Sequence, residues 1–195
     1  MNIPLITILL VMVVFSGCVM PESNHVEPDF YLLSETELEK NESIPLTELS
    51  FYLREVELPR YLKDTRMVFR PTIHTIEFRE QKRWGEPLED GIARVISLNL
   101  QNFVSNSNSS IFPNRRKEGL NWDLSVSFSS FEKVMDQIVL KSKWTARNKA
   151  GDSVSGDFSC EIPLNETGDE LAEVSALNRG LNQIAKQILT SLIPK

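Results

Sequence analysis

Cysteine, histidine and paired carboxylates would carry any catalysis or metal binding in this chain of 195 residues, which has two cysteines and two histidines. His25 falls in a polar, proline-containing stretch. His74 alternates with Ile73 and Ile76 in an extended run, the setting of a sheet histidine that faces outward or is hydrogen-bonded. No pair stands at metal-ligand spacing, and a second cysteine ligand is missing as well. Serines are plentiful, but a nucleophile needs a base within hydrogen-bond reach and a third group to orient that base. His74 would have to serve alone. The chain has no G-x-S-x-G, no glycine-rich phosphate loop and no H-E-x-x-H. Glu86, Glu89 and Asp90 crowd the start of an expected helix, where negative charge complements the dipole. The expectation is therefore a protein that is not an enzyme, with no catalytic residue, cofactor or metal ligand.

The one reactive side chain with a clear assignment is Cys18. It follows "IPLITILLVMVVF", Ile3 to Phe15, an uncharged run too short for the roughly 20 residues that span a bilayer. The run fits a secretory signal core, and Ser16-Gly17 supplies the small residues before a cleavage point. Phe15-Ser16-Gly17-Cys18 resembles the bacterial lipobox, in which the cysteine becomes the first residue and is lipidated. Before the core, "MNIP" offers only the amino terminus as positive charge. Cys160 is then left without a partner in the chain. Val154, Phe158, Cys160 and Ile162 share one side of a period-2 pattern with Gly156, so a small buried hydrophobe is its expected role.

Charge divides along the chain. Val19 to Glu48 holds eight of the 27 acids (Glu22, Glu27, Asp29, Glu35, Glu37, Glu39, Glu42 and Glu48) and one of the 21 bases, Lys40. The remainder is nearly balanced. No basic stripe marks a nucleic-acid binder. With Pro21, Pro28 and Pro45, the acidic stretch reads as a linker interrupted by "DFYLL", Asp29 to Leu33, which is apolar enough for a short strand. The expected organisation is a lipoprotein signal peptide over 1–17, a lipid-anchored acidic linker over 18–48 with a strand near 29–33, and one domain over 49–195.

Within that domain "LSFYLREVEL" is strand-like through about Val56 and ends at Pro59. "RMVFR" and "TIHTIEF" follow around Pro71, with Val68, Ile73 and Ile76 as β-branched apolar positions. Then Leu88, Ile92, Val95, Ile96, Leu100 and Phe103 recur at helical spacing behind Pro87. "SNSNSS", residues 105 to 110, reads as a polar loop. Three alternating runs come next, the first putting Trp122, Leu124, Val126 and Phe128 on one face and the second Ile138, Leu140 and Trp144; the Cys160 run is the third. Asp136 and "NKAGD", Asn148 to Asp152, supply the turns. The chain closes on an amphipathic helix with Leu171, Val174, Leu177, Leu181, Ile184, Ile188 and Leu192 in one stripe. Asp169 and Glu170 suit its start, while Gly180 should weaken it by about 1 kcal/mol relative to Ala. The order strands, helix, three strands, helix predicts an α+β fold: an antiparallel or mixed sheet of about five to six strands with two main helices on one face.

"FYLREVELPRYLKDTRMVFR" and "EFREQKRWGEPLEDGIARVISLNL" resemble the PqiC (YmbA) family of ABC-type transport auxiliary lipoproteins. The resemblance rests on the step Leu58-Pro59-Arg60-Tyr61-Leu62, on the helix entry Trp84, Pro87, Leu88, and on Phe30-Tyr31-Leu32. Phe131-Glu132 at a strand end and the long last helix fit the same layout. It implies a periplasm-facing lipoprotein, lipid-anchored in the outer membrane of a diderm envelope. Its partner would be the MCE-domain tunnel protein (PqiB-like) of an intermembrane lipid transport system, met by a homo-oligomeric ring of this chain. Val19 after the cysteine, rather than Asp, favours the outer membrane. A scaffolding or assembly lipoprotein of another envelope complex is the alternative reading. A ring needs two complementary surfaces, for which the sheet edge and "SNSNSSIFPNRRK" with Ile111 and Phe112 are candidates; those two side chains can equally pin the loop to its own core. Arg115-Arg116-Lys117 reads as a solvated loop or as a contact for an anionic headgroup or partner.

Overall fold

The computed structural model describes residues 26–35, 48–104, 106–164 and 169–193. In chain order the elements are β1 (Asp29–Tyr31), β2 (Glu48–Leu53), β3 (Arg66–Thr72), β4 (Thr75–Trp84), α1 (Leu88–Asn102), β5 (Asn106–Ile111), β6 (Trp122–Val134), β7 (Gln137–Asn148), β8 (Ser153–Pro163) and α2 (Glu170–Leu192). The fold is α+β, as the alternation of periods predicts. Its mixed sheet has 8 strands, more than the five to six expected.

β6 organises the sheet. Along one side it pairs antiparallel with β7, which pairs antiparallel with β8. Its other side is shared: the start lies parallel to β2 at Phe51 to Leu53, and the end lies parallel to β3 at Phe69 and Arg70. β5 extends the sheet beyond β2, and β4 with β1 extends it beyond β3. A register shift between Phe128 and Ser130 lets one strand serve both neighbours. It adds a residue to β6, so Leu124, Val126 and Phe128 before it and Phe131 after it all enter the core. The Phe128 and Phe131 rings meet edge to face at 5.3 Å.

Both helices cover the apolar face of the sheet. Ile92, Val95, Ile96 and Leu100 of α1, with Leu177, Leu181, Ile184 and Ile188 of α2, are buried against Phe51, Leu53, Leu124, Ile138 and Leu140. Two glycines set how closely these layers approach. A Cβ on Gly180 would stand 2.6 Å from Leu140 Cδ2, and one on Gly156 would stand 2.8 Å from the ring of Trp144, its cross-strand partner. Gly180 is thus a packing residue, and its cost in helix propensity accompanies a closer helix–sheet contact. Asp169 caps α2, accepting from the backbone N–H groups of Leu171 and Ala172.

Three expectations are corrected. "SNSNSS" is not a loop: Asn106–Ile111 forms β5, parallel to β2 from Glu48↔Asn106 to Leu53↔Ile111. Its order comes from this backbone ladder at an edge, which a hydrophobic pattern does not record. Leu171 leaves the apolar stripe and is 70% exposed, since it lies in the first turn of α2 while Val174 begins the covered stretch. His74 is not a strand residue either. It sits in the turn between β3 and β4, its N–H donating to Thr72 Oγ1, and Ile73 and Ile76 are exposed beside it.

Candidate functional site

Cys18 and His25 lie outside the described residues, so the lipidation site has no geometry to report. Cys160 is half-buried opposite Leu140, and burial pushes its thiol up from the ordinary cysteine range. That keeps it protonated and poorly nucleophilic at neutral pH. Glu89 and Asp90 occupy the first turn of α1, while Glu86 pairs with Arg94. Among the described residues, no group of three or more His, Cys, Asp or Glu is placed to hold a metal ion.

One polar cluster lies on the face of the sheet away from the helices. Past Leu53 the chain continues beside β6, with Arg54 N–H donating to the Leu124 carbonyl and Glu57 N–H to that of Val126. The outward side chains of β6 and β7 run beneath this segment. Together they form a groove of about 410 Å³ lined by Tyr52, Arg54, Glu57, Ser127, Lys143 and Phe112 among others. Phe112 forms its lip at 46% exposure, whereas its neighbour Ile111 packs on the core. The two apolar residues of this loop therefore divide between the two roles open to them, one as a pin and one as surface. Asp123 holds the loop in place: Arg54 reaches one carboxylate oxygen at 3.1 Å and Arg116 Nε the other at 2.8 Å.

A second polar cluster went unseen in the sequence. The Leu58–Leu62 step folds as a short 3-10 turn over Arg60–Lys63, with Leu62 buried. Tyr61 Oη donates to Glu132 Oε1 at 3.2 Å, and Arg70 Nη1 lies 3.3 Å from the same oxygen. The Glu132 side chain is 1% exposed. A carboxylate so buried must be held by donors, and here they come from the turn, β3 and the backbone N–H of Phe131. Burial, then the adjacent Glu132 carboxylate, pushes the Tyr61 phenol up to about 12. Glu173 of α2 is buried in the same manner against Arg79 of β4. The Glu132 cluster ties β3 and the 3-10 turn to β6, and the Arg79–Glu173 pair ties β4 to α2. Glu132 and Tyr61 appeared in the sequence only as separate parts of the family resemblance, with no hint of contact.

The sequence profile of the family described as ABC-type transport auxiliary lipoprotein component matches residues 31–189. The chain belongs to that family. As an auxiliary lipoprotein component it is a part of a transport system, from a family that is not one of enzymes. Membership of a lipoprotein family fits a lipid-anchored protein of the envelope; among the described residues no helix is long and apolar enough to cross a membrane. Two crystal structures share the fold. One is of an uncharacterized protein, with a TM-score of 0.70 and 16% identity over 86% of this chain and 100% of the other. The second is XCC0632 from Xanthomonas campestris, a DUF330 protein, with a TM-score of 0.65 and 14% identity over 83% and 92%. No curated protein matches the chain. The residues that carried the PqiC resemblance fill structural places in this auxiliary component: Trp84, Leu88 and Leu62 are core, and Tyr31 of β1 pairs with Trp84.

Proposed function

We propose that this protein is an outer-membrane lipoprotein facing the periplasm, anchored through Cys18 after removal of residues 1–17. Residues 18–48 are its acidic linker, whose short strand β1 joins the sheet beside β4, and 49–195 its auxiliary domain. It acts without turnover of its own, as a subunit of an MCE/ABC-type intermembrane lipid transport system, docking as a homo-oligomeric ring on the end of the MCE tunnel protein. The observation that carries this reading is the family match over residues 31–189. The groove behind Phe112 supports it, since an exposed aromatic beside charged and hydroxyl side chains has the mixed character of a protein-binding surface. Crosslinking in intact cells followed by mass spectrometry tests it. An MCE-domain protein and further copies of this chain should be recovered. Crosslinks confined to another envelope complex would mark a scaffolding lipoprotein instead. A strict monomer by light scattering that ignores the MCE partner and hydrolyses lipid esters would overturn the assembly role.

A further inference from the structure

The "RRK" of the loop after β5 is divided by the fold. Arg116 turns toward the sheet, pairing with Asp123 and donating through Nη2 to the Leu120 carbonyl at 2.9 Å. Arg115 and Lys117 turn the other way. They line a pocket of about 390 Å³ between α1 and β5, where Arg94, Ser97, Gln101 and Ser109 complete the polar wall. Lys117 is steered there by β5, with Nζ donating to the Ser109 carbonyl at 3.1 Å. Arg115 has no carboxylate partner among the described residues. Both described bonds of Arg94, to Glu86 and to the Leu33 carbonyl, use Nη2 and leave Nη1 and Nε to other acceptors.

The neutral groups of the wall are also arranged to give protons. Gln101 Nε2 donates to Ser97 Oγ at 2.9 Å and to Ser109 Oγ at 3.2 Å. A hydroxyl that accepts still has its own proton to donate. The two oxygens stand 3.5 Å apart, so a bond between them uses one of those protons and leaves the other. No carboxylate lines the pocket, and Leu98 and Ile111 supply an apolar flank. Two cations with no carboxylate partner among the described residues, Arg115 and Lys117, stand beside Arg94, whose charge Glu86 shares from outside the pocket. With a spare hydroxyl proton they suit a tetrahedral oxyanion, to which charge-assisted hydrogen bonds are strong.

We propose that the pocket formed by Arg94, Arg115 and Lys117 with Ser109, its hydroxyl backed by the fully buried Ser97, binds a phosphate-bearing anion, the chemistry shared by a phospholipid headgroup and free phosphate. This site is independent of the MCE docking proposed above: crosslinking tests that reading, and phosphate binding tests this one.

The test is a phosphorus NMR titration of the purified full chain in non-ionic detergent with dihexanoyl-phosphatidylglycerol, inorganic phosphate and dihexanoyl-phosphatidylcholine. Saturable broadening of the phosphatidylglycerol signal that weakens with salt is expected. R115A/K117A should weaken it roughly tenfold or more, and R115K/K117R should restore most of it. Both exchanges are at a surface loop, and an unchanged melting temperature confirms folding. Competition by inorganic phosphate at similar concentration would assign recognition to the phosphate alone; absence of competition would assign it to the lipid headgroup. No broadening with any of the three overturns the proposal. So does binding that R115A/K117A leaves unchanged, or equal salt-insensitive binding of phosphatidylcholine.

Discussion

The two faces of the sheet are built from the same strands on different physical terms. Toward the helices, Phe131, Ile138, Leu140 and Trp144 are held by shape, and the fitted elements are volumes: a glycine beneath a tryptophan and another beneath a leucine. Away from them, Glu132, Tyr61, Arg70, Asp123, Arg54 and Arg116 are held by charge and hydrogen bonds. The first face tolerates little change in size. The second tolerates it until a buried charge loses its donors. A binding protein gains from this division, because its outer surface can vary while its core stays fixed.

The comparison breaks most readily at Phe131. Phe131→Ala should cost about 3–5 kcal/mol by loss of buried area and by the cavity left behind, read from denaturant midpoints; a cost below roughly 1 kcal/mol would mean that this face is not close-packed. Next is Gly180→Ala, where helix propensity alone argues for about 1 kcal/mol of stabilisation. Contact with Leu140 should reverse the sign, costing roughly 1–3 kcal/mol, and Leu140→Ala in the same chain should remove the clash and bring the two effects below additivity.

Tyr61→Phe probes the charged face. It removes one donor from Glu132 and leaves Arg70 and the Phe131 N–H, so about 1 kcal/mol should be lost. The same side chain gives a pH test. Its pKa is raised from 10.0 to about 12, chiefly by burial, so the fold favours the neutral phenol. Its contribution is complete below about pH 10 and disappears as the pH climbs through about 12. Phenolate absorbance should therefore show a late step near pH 12, and Tyr61→Phe should abolish it. The smallest effect is expected at Lys143, which lies 3.9 Å from Asp157 with both side chains more than four-fifths exposed. Lys143→Ala should leave thermal stability unchanged within error, and a clear loss there would mean that the outer face is more tightly organised than its burial indicates.

Legibility in the sequence followed the same division. β6, β7, β8 and both helices were readable because one face of each is apolar, and periods of 2 and 3.6 record that directly. Charge pairs leave no periodic trace, so the Glu132 and Glu173 sites were invisible until distant strands, and a strand and a helix, came together. β5 was missed for a related reason, as its serines and asparagines are ordered by a ladder with β2 and, apart from the buried Ser110, by little burial of their own. His74, Ile73 and Ile76 mark the opposite error. Ile73 and His74 fall in the turn that joins β3 to β4, which breaks the extended run read there, and both isoleucines are exposed. Arg116 was indistinguishable from Arg115 and Lys117 in a run of three cations, since only the fold determines which way each turns.

β1 is short, yet it is tied on several sides. Lys82 of β4 meets Asp29 at 2.8 Å, the Gly85 N–H donates to the Tyr31 carbonyl, and the Ser34 N–H donates to Asn178 of α2 at 3.0 Å. On the proposed anchorage at Cys18 this makes β1 the mooring point of the domain. At about 3.5 Å per residue, the stretch from Cys18 to Asp29 reaches no further than roughly 40 Å, about the diameter of a domain of this size. The leash is no longer than the body it holds. On that anchorage the β1–β4 margin can travel no further than this from the bilayer, and β8 lies at the opposite end of the strand order β1-β4-β3-β6-β7-β8.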